Sequence, residues 1–350
     1  MPTRSPGVRP GSPPVRSTRR RRWRGPALAL SVAVLLLAVG LSLAIGSRPI
    51  APGVVWDSLT GAAQGQDALV VRELRVPRTI LGIAVGIALG LSGALMQALT
   101  RNPLADPGLL GVNSGAAAAM VTAVAVAGVT SPMGLVWFSM VGAAVVSVVV
   151  YVIGTSGRGG ATPVRLALAG TAIAAALGAY TTGMILLDSR TFDRFRYWQV
   201  GSLVGQDLSL VAQVAPFFVV GTLLALSQGR ALNALALGED SGRALGANVA
   251  RTRVLTAVAV TLLCGAATAA AGPIWFLGLA VPHMVRAVTG PDQRWVLPFS
   301  LVLAPALLLL GDVLGRVVVR PGELEVSIVT AVLGAPVLIA LVRRKRLAQL

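Results

Sequence analysis

This sequence is poor in residues that ionise, bind metals or form cross-links. Among 350 residues there is one lysine, Lys345, one cysteine, Cys264, and one histidine, His283. Charged residues make up 12% of the chain, about half the share of an average soluble domain. Each scarcity removes a class of function. A Walker A loop needs a lysine after its glycine-rich turn to reach the β- and γ-phosphates. The single lysine lies in an Arg-Arg-Lys-Arg run instead, so the chain is not itself a P-loop ATPase. A lone cysteine closes no disulfide within the chain, and one histidine with it builds no Cys/His metal cage. No constellation of nucleophile, base and orienting group stands out for catalysis, so neither an enzymatic role nor a bound cofactor is expected.

Hydrophobic residues, by contrast, make up 55% of the chain, and they fall in uncharged blocks. Ala27–Ser47, Thr79–Thr100, Leu166–Leu187, Leu208–Gly229 and Val326–Val342 carry no charge, and Pro107–Gly157 is an uncharged run of 51 residues. A bilayer core of about 30 Å, at a rise of about 1.5 Å per residue, takes about 20 apolar residues per helical pass. The fold class is therefore all-α, a polytopic helical membrane protein. Ten passes are predicted, at 26–46, 79–100, 109–128, 135–154, 164–187, 208–228, 252–271, 277–290, 295–314 and 326–342. They are separated by Asn102-Pro103, Asp106-Pro107, Ser131-Pro132, the Gly157-to-Pro163 stretch, Gly272-Pro273, Gly290-Pro291 and Pro321-Gly322. The eighth pass is short and carries Pro282. In the second, Gly82, Gly86 and Gly90 recur every four residues and Gly93 follows, a seam that lets helix backbones approach closely.

Basic residues crowd the two ends: eight arginines in residues 1–25, and Arg343, Arg344, Lys345 and Arg346 near the other terminus. With the N-terminus inside, 21 basic residues fall on cytoplasmic segments and 9 on outer ones, the ends supplying 12 of the 21. The positive-inside rule then puts both termini in the cytoplasm and explains the high net charge without a nucleic-acid partner. Thr18–Arg22 superficially resembles a twin-arginine signal, but the apolar stretch after it is longer than the roughly 7–15 residues of a signal core. Residues 1–25 read as a disordered basic cytoplasmic tail and 26–346 as one transmembrane domain.

Three places concentrate chemistry. Ala231–Ala247, on the predicted cytoplasmic side, suggests two short helical pieces separated by Gly238, with Glu239, Asp240 and Ser241 suited to a helix start. It suits a knob docking into a partner's groove, or an ordinary interfacial loop. Arg72–Arg78 and Arg316–Glu325, both assigned outside, suit a carboxylate-bearing partner or arginines snorkelling to headgroups. Asp312 lies within the ninth pass, where a bare charge costs about 2.5–3.5 kcal/mol, with Arg316 placed one turn on to pair with it. A secondary transporter using Asp312 and His283 as a proton path is the rival to be tested.

The motifs taken together resemble the FecCD-type permease family, membrane subunits of ATP-binding-cassette (ABC) importers for iron–siderophore chelates, haem and cobalamin. They are Leu74–Arg78 running into Gly93-Ala94-Leu95-Met96-Gln97, Arg101-Asn102-Pro103-Leu104-Ala105-Asp106-Pro107-Gly108-Leu109-Leu110-Gly111, Leu235-Ala236-Leu237-Gly238-Glu239 with Ala244-Leu245-Gly246, Gly272–Leu279 with Pro282–Arg286, and Glu323–Pro336. The resemblance implies ten helices per subunit and a permease dimer, of identical or paralogous chains, with the pathway between them. It also implies separate ATPase subunits that use the ATP, and a substrate-binding lipoprotein. Leu235, Leu237, Gly238, Glu239, Asp240 and Arg243 would fall in coupling helices seated in the ATPase cleft. Arg75, Arg78 and Arg316 would meet glutamates of the binding protein, and Leu104 would lie in a gate loop. Where the cobalamin importer has a Thr-Ser pair at its other gate, this chain has Pro163-Val164. Iron chelate is the expected cargo, with haem or cobalamin as alternatives.

Overall fold

A computed structural model describes residues 16–47, 49–156 and 163–343, and their side chains from residue 23 onward apart from 163, 337 and 340–342. Every predicted pass corresponds to a helix: α1 (Arg16–Ala44), α2 (Val76–Thr100), α3 (Val112–Ala125), α4 (Pro132–Thr155), α5 (Pro163–Leu187), α6 (Leu208–Ser227), α7 (Val249–Ala271), α8 (Leu277–Thr289), α9 (Gln293–Val318) and α10 (Val326–Arg343). No strand occurs among the described residues. Among the described residues, seven of the ten (α1, α2, α4, α5, α6, α7 and α9) are long and apolar enough to cross a membrane.

Two helices start earlier than their uncharged blocks. α1 begins at Arg16 and passes through Pro26, so residues 16–25 are helical, consistent with the helix propensity of arginine; residues 1–15 of the expected tail lie outside the described residues. Arg24 donates to the Thr289 carbonyl at 2.7 Å and sits 5.4 Å from the Trp295 ring, tying α1 to α8 and α9. The helical run leading into α2 begins at Gln66 through a π-helical turn, Val70–Arg75. Its charges are absorbed locally: Arg72 donates to the Ser58 carbonyl at 2.6 Å, and Arg75 to the carbonyls of Leu43 and Ala44 at 2.7 Å.

The glycine seam places α2 at the centre of the bundle. A Cβ on Gly86 would fall on the backbone of Pro305, and one on Gly90 would meet Ala304 and the Ser300 carbonyl of α9. A Cβ on Gly93 would overlap the Gly278 carbonyl of α8. Without a hydrophobic drive between helices in lipid, such backbone contact is the main source of packing energy.

α3 and α8 are about 20 Å long at 14 and 13 residues. Each falls short of the roughly 30 Å of a bilayer core and is preceded by backbone that is not α-helical. The Pro107–Leu110 turn leads into α3, and the extended residues 272–276 lead into α8. Irregular backbone at membrane depth must be satisfied by protein. Here Ser202 N–H donates to the Ala271 carbonyl at 2.8 Å, and Ser327 Oγ to the Pro273 carbonyl at 3.2 Å. Gly201 and Gly272, both at positive φ, let the two segments touch, since a Cβ on either would strike the other's backbone neighbourhood.

Candidate functional site

Polar and charged side chains gather at three levels along the bundle. At the end where α1 starts, the loop between α6 and α7 folds into two short helices, Gly229–Ala236 and Glu239–Ala244. Gly238 joins them at φ +111°, a conformation that L side chains rarely adopt. The hairpin is braced from several sides. Glu239 forms an ion pair with Arg253 of α7, and Arg101, after α2, donates to the Leu235 carbonyl. Asn233 donates to Asp292 at 2.7 Å and accepts from the Gln293 N–H at 2.8 Å. Arg243 lies 3.7 Å from Glu239 and 3.5 Å from Asp240 on the exposed side. Leu237 and Leu245 point outward from this rigid frame, 67% and 64% exposed. Leu104 is also exposed, in the turn after α2 where its N–H caps on Asn102. The sequence thus located the two helices; it did not reveal their bracing, which comes from α7, α9 and the end of α2.

At the opposite end lies a buried charge cluster. Arg78 donates to Asp312 at 2.7 Å and to Glu323 at 2.7 Å. Arg316 pairs with the same Asp312 and donates to the Ser42 carbonyl at 2.7 Å and the Ile45 carbonyl at 3.0 Å. The i,i+4 pair anticipated from spacing is present; the partner 234 residues away was not legible. The three arginines expected to meet a binding protein differ in burial within this chain. Arg316 is 1% exposed and Arg75 is buried, both engaged within the chain, while Arg78 retains an 11% exposed edge beside half-buried Glu323. At this depth a guanidinium is stable only against carbonyls and carboxylates of its own fold.

Asp312 and His283 lie toward opposite ends of α2. Asp312 sits with Arg78 at the start of α2. His283 belongs to α8, whose Leu279 and Arg286 bond Gln97 at the other end of α2.

Between the two ends is a cavity of about 350 Å³ lined by α3, α5, the helix Ser189–Gln199, and residues 273 and 275 of the extended segment. A second, of about 380 Å³, shares Asn113, Ser114 and Trp275 with it and reaches Asp106. Asp106 accepts the Gly108 N–H at 2.8 Å, and burial raises its carboxyl above the ordinary carboxylate range. Val164, where this chain departs from the Thr-Ser gate pair so that the gate's chemistry does not carry over, is exposed at the start of α5 and adjoins residues 157–162, outside the described residues. Among the described residues no group of His, Cys, Asp and Glu is arranged to hold a metal.

Comparison with known proteins gives this arrangement a family. Residues 34–344 match the model of the FecCD transport family. The ferric enterobactin transport system permease protein FepD of Escherichia coli K12 is 50% identical over 313 residues, covering 89% of this chain and 93% of FepD. The Fe(3+)-citrate import system permease protein YfmD of Bacillus subtilis is 38% identical over 334 residues, 94% of this chain and 97% of YfmD. A solved inward-facing structure, described as that of a metal-chelate type ABC transporter, superposes with a TM-score of 0.79 at 24% identity over 92% of this chain and 99% of that one; at that identity it speaks for the fold. The chain belongs to the FecCD transport family, as a multi-pass inner-membrane permease subunit of an ABC importer and not an enzyme.

Proposed function

We propose that this chain conducts a ferric siderophore into the cell. The observation that carries the cargo is the 50% identity to a ferric enterobactin permease along nearly the whole chain. A second iron-chelate permease at 38% supports the same class.

In this reading both termini are cytoplasmic, residues 26–346 form the permease domain, and a basic tail precedes it. The hairpin of Leu235, Leu237, Gly238, Glu239, Asp240 and Arg243 is the handle gripped by ATPase subunits. Its exposed leucines offer an apolar contact, and its ties to α2, α7 and α9 carry force into the bundle. ATP stays in the partner subunits, and Leu104 belongs to a gate between pathway and cytoplasm. A substrate-binding lipoprotein docks at the other end through the Arg78–Glu323 edge, while Arg75 and Arg316 hold α1 and α9 beneath it. A second permease chain, identical or paralogous, completes the pathway.

The test is uptake of radio-iron from a panel of ferric siderophores in a strain deleted for this gene, with and without complementation. Uptake lost and restored for one siderophore class establishes the cargo. Uptake unchanged across the panel contradicts the iron reading and points to haem or cobalamin.

A further inference from the structure

α1 is longer than its uncharged part. Its 29 residues span about 44 Å, of which Ala27–Ala44 takes about 27 Å, close to the thickness of a bilayer core. About 16 Å of helix precedes Ala27, more than the roughly 5–8 Å of one headgroup layer. That stretch holds Arg16, Arg19, Arg20, Arg21, Arg22 and Arg24 and no acidic residue. Its level is pinned by the bundle. Arg24 donates to the Thr289 carbonyl at 2.7 Å and sits 5.4 Å from the Trp295 ring, while Trp23 is 62% exposed. Two indoles on neighbouring helices mark a membrane–water boundary, since an apolar ring with one polar N–H favours the headgroup level. Arg19–Arg22 therefore stand about 2–6 Å beyond that boundary along the helix axis, inside a Debye length of about 8 Å at physiological salt.

The bundle sets two more arginines beside this end. Arg294 opens α9 next to Trp295, and a Cβ on Gly229 would lie 3.6 Å from the Arg294 backbone, so Arg230 is its neighbour. Both are exposed, and neither side chain has a partner among the described residues. The nearby carboxylate of Asp292 is taken by the Arg294 N–H at 3.0 Å and by Asn233 at 2.7 Å. α1 itself lies at the edge of the bundle: Leu30, Leu36 and Leu37 are 60–67% exposed, so its basic end emerges where lipid surrounds the protein. We propose that Arg19–Arg22, with Arg230 and Arg294 beside them, form a binding surface for the anionic phospholipid headgroups of the cytoplasmic leaflet. This rests on the reading above that the N-terminus is cytoplasmic. Guanidiniums grip phosphate oxygens with paired hydrogen bonds, and a run of four or more basic residues next to a membrane-spanning helix gathers anionic lipid. The arginine run precedes residue 34, where the match to the family begins, so the family's shared machinery does not account for it.

The test is tryptophan quenching in the full-length protein, reconstituted with its ATPase partner into vesicles. These hold either phosphatidylglycerol or phosphatidylcholine, at equal mole fraction, dibrominated near the headgroup end of the acyl chain. Bromine quenches only at contact, and subtracting the signal of the Trp23→Phe protein isolates Trp23. Trp23 is expected to be quenched about threefold more strongly by the phosphatidylglycerol, and the ratio to fall toward one in about 0.5 M salt. The ratio is expected to fall likewise in the variant carrying Arg19→Gln, Arg20→Gln, Arg21→Gln and Arg22→Gln together. Equal quenching by the two lipids in the unsubstituted protein overturns the inference and leaves the arginines to a soluble acidic partner. A preference that survives the four substitutions overturns it too. Where that variant fails to accumulate, the salt titration of the unsubstituted protein decides, and a preference indifferent to salt contradicts an electrostatic contact. Orientation is read separately, by a membrane-impermeant maleimide on intact cells carrying Ser17→Cys with Cys264→Ala. Labelling only after permeabilisation supports the cytoplasmic reading; labelling of intact cells overturns that reading and this inference with it.

Discussion

Asp312 shows how a residue that looks functional in the sequence is structural in the fold. One carboxylate holds two guanidiniums, and through Arg316 it holds the carbonyls at the end of α1. Removing one partner of a buried ion pair strands the others and costs about 3–5 kcal/mol. Asp312→Asn is therefore expected to lower the thermal midpoint of the detergent-solubilised protein. The triple change Arg78→Met, Asp312→Leu, Arg316→Met is expected to be less damaging than Asp312→Asn alone, because the one charge it leaves unpaired, Glu323, reaches solvent. Midpoints from fluorescence-detected size-exclusion profiles after heating check both, and equal stability of Asp312→Asn and wild type contradicts the account. At the same scale, Gly86→Val drives a side chain into the Pro305 backbone, and loss of monodisperse protein is the expected result.

Elements were legible in the sequence to the extent that their signals are local. Six of the ten passes show as uncharged runs and the other four carry a single charge each, with Pro and Gly near their ends, and the two short helices around Gly238 show by composition and capping residues. The early start of the second pass was hidden because Arg72 and Arg75 read as a boundary, while carbonyls of the preceding segments neutralise them. The hairpin gives the sharpest prediction at this scale. Glu239→Arg breaks the pair with Arg253 and reverses charge on the exposed knob, so uptake is expected to vanish while membrane levels stay normal. Normal uptake by a well-expressed variant rules out the coupling role. The helix Ser189–Gln199 offers a pH test. Hydrogen bonds from Thr191 Oγ1 and N–H lower the Asp188 pKa below the ordinary carboxylate value. The cap is thus fully present above the ordinary value and is lost as pH falls through the lowered one. Asp188→Ala should remove that acid dependence, read by hydrogen exchange of the Thr191 amide.

Across the whole molecule, two ends with different chemistry are joined by a tightly packed α2. One end bears an apolar knob on a braced hairpin; the other bears an ionic clamp with one exposed edge. Between the two ends, α3, α5 and the helix Ser189–Gln199 line a cavity. This arrangement suits an importer driven from one end and loaded at the other, and it keeps Asp312 and His283 apart. The most direct test is iron-55 uptake by right-side-out membrane vesicles from cells carrying the full transporter, loaded with ATP, with the proton gradient collapsed. Uptake that persists with ATP and stops when ATP is withheld is the predicted result. Uptake that stops with the gradient while internal ATP is unchanged would contradict the account and return the chain to the proton-coupled class.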